Sequence, residues 1–101
     1  MFVYKLLRAA EWVAFDAAGV FAGSADDVRD GYIHLSTAAQ VDGTRDRYFA
    51  REPGVMMVTL DGDALGDALR WEPSRGGALF PHLYRAIVRE DIMAVEAMLQ
   101  L

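Results

Sequence analysis

The sequence predicts an α+β fold in which two or three helices pack on a mostly antiparallel sheet, either continuous or split. Three observations predict this class. Helical spacing of apolar residues is confined to the first half of the chain, strand-like segments recur along its whole length, and no repeat or linker interrupts it. At 101 residues the chain is long enough for one hydrophobic core and too short for two, so residues 1–101 are expected to form a single domain.

The chain opens with a strand followed by a helix. Residues 2–7 (FVYKLL) mix β-branched, aromatic and long apolar side chains over the length of a strand. Residues 9–18 then change period. Trp12 and Phe15 lie three positions apart on one helical face, and Gly19 provides a C-terminal stop.

A loop and a short strand are expected next. Residues 23–31 (GSADDVRDG) are dense in turn-forming residues and predict a loop with up to one helical turn. In the following YIHLS, strand alternation places Ile33 and Leu35 on one face and Tyr32 and His34 on the other. If the aliphatic pair faces the core, the Tyr/His pair faces out of it.

A second helix is predicted over residues 38–50. Thr37 followed by Gln40 has the spacing of a capping box, and EPG at 52–54 ends the segment. The candidate buried side chains of this helix are Val41, Tyr48 and Phe49.

The second half of the chain is predicted to consist mainly of strands. Residues 55–60 (VMMVTL) form a continuous apolar run, which is typical of a strand covered on both faces. The remaining segments are predicted, in order, to be a turn or short helix at 61–69, a strand at LRWE, a loop at 73–77, a strand at 82–88 and a last strand near 92–99.

Composition limits the kinds of partner. The net charge of −5 argues against broad nucleic-acid binding, which needs a basic face. No stretch approaches the roughly 20 apolar residues of a membrane span, and the first residues lack the features of a signal peptide, so we expect a cytoplasmic protein with no membrane partner. With no cysteine and two histidines, no metal site is predicted.

The first candidate site is YIHLST. His34 on the outward face of a strand would lie beside the free N–H groups at a helix start, where Ser36 and Thr37 could help it hold a phosphate or a sugar hydroxyl. The alternative is structural. In that case Thr37 only caps the helix and His34 only fills a half-buried face.

The second candidate site is RWEPSRGGALFPHLY. Glu72 and Arg75 flank a tight turn, and His82 and Tyr84 share one strand face. A carboxylate, a guanidinium, an imidazole and a phenol suit acid/base chemistry or anion binding. The alternative is a surface ion pair between Glu72 and Arg75, with Tyr84 as a core aromatic. If the two histidine-bearing strands are neighbours, both Tyr/His pairs lie in one cleft.

These segments together resemble a known family. FAGSADDVRDGYIHLST and LRWEPSRGGALFPHLY, in that order and spacing, are similar to the bacterial proteins of domain-of-unknown-function family 952 (DUF952). The resemblance implies a fold like that of the ADP-ribosyltransferase superfamily, whose enzymes act on NAD. By that resemblance His34 matches the ribose-binding histidine, Tyr84 or Tyr32 would stack on nicotinamide, and Glu72 would be the catalytic carboxylate.

Two functions of different classes are open at this point. One is an enzyme-like cleft for a nucleotide or another small phosphorylated ligand, with NAD or ADP-ribose as the candidates, in which His34 and Glu72 are catalytic. The other is a non-catalytic ligand-binding or protein-interaction module. The chain could be a monomer, or a homodimer paired through the apolar segment IMAVEAMLQL. Within that segment Met93, Val95, Ala97 and Leu99 alternate, and the strand is expected to be buried on both sides.

Overall fold

The computed structural model describes residues 1–98. Its strands are β1 (Phe2–Leu7), β2 (Val20–Phe21), β3 (Ile33–His34), β4 (Met56–Asp61), β5 (Leu69–Pro73), β6 (Leu79–Leu83), β7 (Ile87–Val88) and β8 (Ile92–Ala97). Its α-helices are α1 (Ala9–Ala18), α2 (Ala25–Asp30), α3 (Val41–Tyr48) and α4 (Gly62–Leu65). Short 3-10 turns follow at Gly66–Ala68, Arg75–Gly77 and Arg89–Asp91. The predicted α+β class is confirmed, with four helices among the described residues in place of two or three.

The strands form three small antiparallel sheets, so the sheet is split. Their orders are β1-β4-β8, β2-β7 and β3-β6-β5, and every strand pair is antiparallel. The split matters for function because β3 and β6, the two histidine-bearing strands, are direct neighbours in the third sheet. None of the described helices is long and apolar enough to cross a membrane.

Helix α2 was missed by the sequence prediction of a loop with up to one helical turn. Ser24 caps the helix, since its Oγ accepts the N–H of Asp27 at 3.2 Å while the Asp27 carboxylate accepts the N–H of Ser24 at 2.9 Å. Gly31, at φ 88°, ends the helix in the left-handed region. This reciprocal cap compensates for the turn-forming composition of the segment.

Helix α3 begins three residues later than predicted. Gln40 Oε1 accepts the N–H of Thr37 at 3.1 Å, but residues 38–40 form a turn and the helix starts at Val41. Val41 is buried and Phe49 is half-buried, as expected for the inner side. The prediction that Tyr48 is buried was wrong, because its side chain is exposed.

The main hydrophobic core lies between the three sheets and α1. It includes side chains from each sheet, from α1, from α4 and from the residue after β3, namely Val3, Leu7, Phe15, Phe21, Ile33, Leu35, Val58, Leu60, Leu65, Leu83 and Ile87. The consecutive residues Val58, Thr59 and Leu60 are all buried, so β4 is covered on both faces as the apolar run predicted. A smaller cluster of Leu6, Val41 and Val55 lies against Tyr4 and Phe49.

The last part of the chain differs from its prediction in two ways. Residues 82–88 do not form one strand: β6 ends at Leu83, and the chain turns so that β7 pairs with β2 in another sheet. Strand β8 is an edge strand with Met93 exposed, so it is not buried on both sides. Leu99 lies outside the described residues. A homodimer through this strand stays a prediction, which light scattering coupled to size-exclusion chromatography would decide.

Candidate functional site

The third sheet turns one face to the core and the other to a cleft. His34 and His82 are direct partners in the β3–β6 register. Because successive side chains point to opposite faces, Ile33 and Leu83 enter the core while both histidines lie on the other face. The alternation predicted for YIHLS is therefore confirmed.

Four rings cluster on the cleft face. Tyr32 stacks on His82, with ring centroids 4.0 Å apart and planes at 25°. The Tyr32 ring also lies 4.6 Å from His34 and 5.3 Å from Tyr84, and the two imidazoles are 5.7 Å apart. Burial, with the carboxylates of Asp30, Glu72 and Asp27, raises the pKa of Tyr32, so its hydroxyl keeps its proton at neutral pH.

His34 is held between two carboxylates of α2. Its Nδ1 is 2.6 Å from Asp27 Oδ1, and its Nε2 is 3.0 Å from Asp30 Oδ2. The backbone N–H of His34 also donates to Asp27. Each ring nitrogen of His34 therefore faces a carboxylate oxygen.

Asp27 is the buried centre of this network. Lys5 Nζ lies 2.9 Å from Asp27 Oδ2 and donates to the carbonyl of His34 at 3.1 Å. Burial on its own raises the pKa of Asp27, but the bond from His34 and the charge of Lys5 outweigh it and hold the pKa well below its ordinary value. The carboxylate is therefore ionised in the folded protein at neutral pH.

The second histidine has a different environment. His82 is 2% exposed, and its Nδ1 lies 2.8 Å from Glu72 Oε1. The hydroxyl of Tyr84 donates to the same oxygen at 2.6 Å. The bonds from Tyr84 and His82 hold the pKa of Glu72 below its ordinary value. Among the described residues, Nε2 of His82 is the buried side-chain polar atom that has no hydrogen-bond partner.

A cleft of about 300 Å³ opens beside these rings. It is lined by part of the predicted set together with charged residues from β1, α1 and α2. The lining includes Lys5, Asp27, Asp30, Tyr32, His34, Arg75, Phe80 and His82. Glu72 and Tyr84 are absent from the residues that line this cleft and contact it only through His82 and Tyr32.

Ser36 and Thr37 also lie outside the cleft lining. The buried hydroxyl of Ser36 is 2.9 Å from the hydroxyl of Thr44, and its backbone pairs with Tyr4. The N–H of Thr37 is satisfied by Gln40. Because α3 starts at Val41, these two residues do not form the expected anion site at a helix start with His34.

Arg75 lies at the cleft but does not form the surface ion pair with Glu72 that was one expectation. Its guanidinium lies 4.9 Å from the centre of the Phe80 ring and 3.4 Å from the hydroxyl of Thr44. Gly76 and Gly77 have φ values of 70° and 80°, so the turn that carries Arg75 uses conformations that favour glycine. These contacts fix a cation beside an aromatic surface.

Lys5, Asp27 and Asp30 were not among the site residues predicted from the sequence. The signals were present: Lys5 is the single lysine and sits in an apolar strand, while Asp27 and Asp30 are three positions apart, on one face once α2 is known to be helical. No group of described residues is arranged to hold a metal ion.

The fold and the cleft define a small α+β domain with a histidine-lined cleft. The chain belongs to the family described as protein of unknown function (DUF952), whose model matches residues 6–95. The predicted family is thus confirmed.

The chain is also similar to solved structures of one bacterial protein. The crystal structure of protein CC0527 from Caulobacter crescentus has a TM-score of 0.92 and 40% identity, covering 96% of this chain and 85% of that one. The solution NMR structure of CC0527 has a TM-score of 0.86 and 40% identity, covering 96% and 84%. No curated protein matches the chain. The relation to ADP-ribosyltransferases stays a prediction.

Proposed function

We propose that the cleft binds a nucleotide or a related phosphorylated ribose compound, with NAD and ADP-ribose as the first candidates, in the manner of an ADP-ribosyltransferase-like protein. One observation carries the proposal. Tyr32, His34, Arg75 and His82, which come from distant parts of the chain, line one cleft. A concave site with convergent polar groups is the usual form of a small-molecule site.

The chemistry of the lining suits the parts of such a ligand. Arg75 offers a guanidinium fork, which matches phosphate oxygens, and its packing on Phe80 limits the freedom that it would lose on binding. Tyr32 offers an aromatic ring for stacking on a base or on nicotinamide. The volume of about 300 Å³ lies at the lower limit for ligand sites, so we expect it to hold one half of a dinucleotide.

The proposal commits to binding and not to group transfer. The resemblance makes Glu72 the catalytic carboxylate, but Glu72 contacts His82 and Tyr84 and does not line the cleft. The carboxylates in the lining include Asp27 and Asp30, which are already paired with Lys5 and His34. We therefore give Glu72 a role that acts through His82.

Calorimetry with NAD, ADP-ribose and ADP, together with thermal melting, tests the proposal. We expect saturable binding that His34→Ala weakens at least tenfold, or about 1.4 kcal/mol. Arg75→Ala should weaken binding similarly, while Arg51→Ala, which removes an exposed arginine outside the cleft, should not. Absence of heat and of thermal stabilisation with all three nucleotides would refute the proposal.

A second function, a non-catalytic interaction module, is favoured by a specific observation. The networks around Asp27 and Glu72 satisfy most polar groups internally, which is typical of a rigid structural arrangement. The unpartnered Nε2 of His82 counts against it. The module predicts that His34→Ala lowers thermal stability and that no nucleotide restores it.

A further inference from the structure

We propose that Glu72 is a positioning residue that fixes the tautomer of His82, and that Nε2 of His82 thereby becomes the hydrogen-bond acceptor for a hydroxyl or N–H group of the ligand. The inference rests on the proposed function for the presence of a ligand in the cleft. It deepens that function because it names the group of the ligand that the cleft selects and the protein atom that selects it.

The hydrogen bond between His82 and Glu72 fixes the proton on Nδ1 of His82. Tyr84 and His82 both approach the same oxygen of Glu72, at 2.6 and 2.8 Å. An ionised carboxylate can only accept hydrogen bonds, so Nδ1 of His82 must donate. This is the arrangement in which a carboxylate orients an imidazole and leaves its far nitrogen free to act.

Nε2 of His82 is left without a hydrogen-bond partner in the described part of the chain. With the proton on Nδ1, a neutral ring leaves a lone pair on Nε2, and that atom is buried without a partner. A proton on Nε2 would be a buried N–H donor without an acceptor among the described residues. The geometry therefore favours the tautomer with the proton on Nδ1 and with Nε2 as the acceptor.

The two histidines differ in whether they have a ring nitrogen without a partner. Both ring nitrogens of His34 face carboxylates, Asp27 at 2.6 Å and Asp30 at 3.0 Å. His34 therefore has no free nitrogen, although the family resemblance assigns ribose binding to it. His82 has one, and His82 lines the same cleft. The recognising atom is thus on β6 and not on β3.

The lone pair on Nε2 of His82 determines which chemical group of a ligand it can bind. A lone pair on Nε2 attracts a donor and repels the oxygens of an ionised phosphate. Arg75, on the 3-10 turn before β6, is a lining cation whose guanidinium fork suits phosphate. The cleft therefore contains two recognition groups. His82 binds a hydroxyl or N–H group of the ligand, and Arg75 binds its phosphate.

Nitrogen-15 NMR of the histidine rings tests the tautomer in the free protein. We expect His82 with Nδ1 protonated and Nε2 unprotonated, and a mixture of both tautomers in Glu72→Gln. Glu96→Gln, which changes an exposed glutamate on β8, is the matched control and should leave the His82 signals unchanged. A protonated Nε2 in the free wild-type protein would overturn the inference whatever the protein binds.

Ligand titration tests the acceptor role. ADP-ribose should move the Nε2 resonance of His82, and His82→Asn, which keeps a donor for Glu72 but has no group at Nε2, should weaken ADP-ribose at least tenfold. Inorganic phosphate should bind the wild type and His82→Asn equally. Equal ADP-ribose affinity for the two proteins would contradict the assignment.

The outcomes distinguish the two proposals. ADP-ribose that binds without moving the Nε2 resonance overturns the inference and leaves the proposed function intact. If neither NAD nor ADP-ribose binds but ribose 5-phosphate moves that resonance, the nucleotide part of the proposed function fails, its phosphorylated-ribose part remains, and the inference stands. If none of these probes moves it, the inference is overturned.

Discussion

Lys5 and Asp27 form a buried ion pair at the wall of the cleft, with Nζ 2.9 Å from Oδ2 and side-chain exposures of 8% and 1%. The pair joins β1 of the first sheet to α2, and through the carbonyl of His34 it reaches β3 of the third. Its loss would therefore affect both the stability of the domain and the position of the cleft histidine.

Asp27→Ala should destabilise the protein by about 3–5 kcal/mol, because it leaves Lys5 as an uncompensated buried charge. Asp26→Ala is the matched control, since it removes a neighbouring aspartate whose side chain is 63% exposed and which pairs with Arg29. We expect the control to cost under about 1 kcal/mol. Urea denaturation measures the free energy of unfolding of both variants. Equal losses of stability would show that the buried ion pair contributes no more than the exposed one.

The same pair predicts acid sensitivity. The pKa of Asp27 is lower in the folded protein than its ordinary value of 3.8. Such a group contributes stability that is fully present above the unfolded pKa and is lost as the pH falls toward the folded pKa. The free energy of unfolding should therefore decline below about pH 4, and the decline should be shallower in Asp27→Asn. Equal slopes in a pH series of denaturation curves would assign the effect to other carboxyls.

Two leucines of β6 predict a contrast between core and surface. Leu83 is fully buried, whereas Leu79 is 54% exposed on the same strand. Leu83→Ala should cost about 2–5 kcal/mol because it opens a cavity in the core. Leu79→Ala should stay within about 0.5 kcal/mol of the wild type. Thermal melting of the two variants, with His82 signals as a check on the cleft, would show whether the core supports the site.

Gly19 and Gly31 end helices with positive φ, at 77° and 88°. Gly31→Ala should cost about 1–2 kcal/mol from backbone strain alone, since no atom lies within 4 Å of the added Cβ. Gly19→Ala should cost more, because its Cβ would lie 2.8 Å from the guanidinium of Arg89, which donates to the carbonyl of Asp16. In an Arg89→Ala background the excess should disappear, and an unchanged excess would rule out this crowding.

Local patterns in the sequence were enough to predict much of the domain. The first strand and helix followed from composition and period, and the alternation in YIHLS placed Tyr32 and His34 away from the core. The condition that the two Tyr/His segments be neighbouring strands is met, since His34 and His82 are register partners, although Tyr84 does not line the cleft. These features depend on residues close in sequence or on one repeated pattern.

The remaining features depend on contacts that no local pattern contains. From the sequence, a hydrogen bond from His82 to Glu72 could not be distinguished from an ion pair of Glu72 with Arg75. His82 and Arg75 are both close to Glu72 along the chain. The ion pair between Lys5 and Asp27 joins residues that are 22 positions apart in the sequence. The break between β6 and β7 lies in a continuous strand-like composition, and only the separate pairing of β7 with β2 reveals it.

The stacking of Tyr32 on His82 has a consequence for any incoming aromatic group. A base or nicotinamide ring that takes this position must exchange one ring–ring contact for another, so the exchange yields little net affinity. Discrimination among ligands would then come mainly from polar groups at the edges of the rings. A compound without such groups should gain little from its flat surface alone.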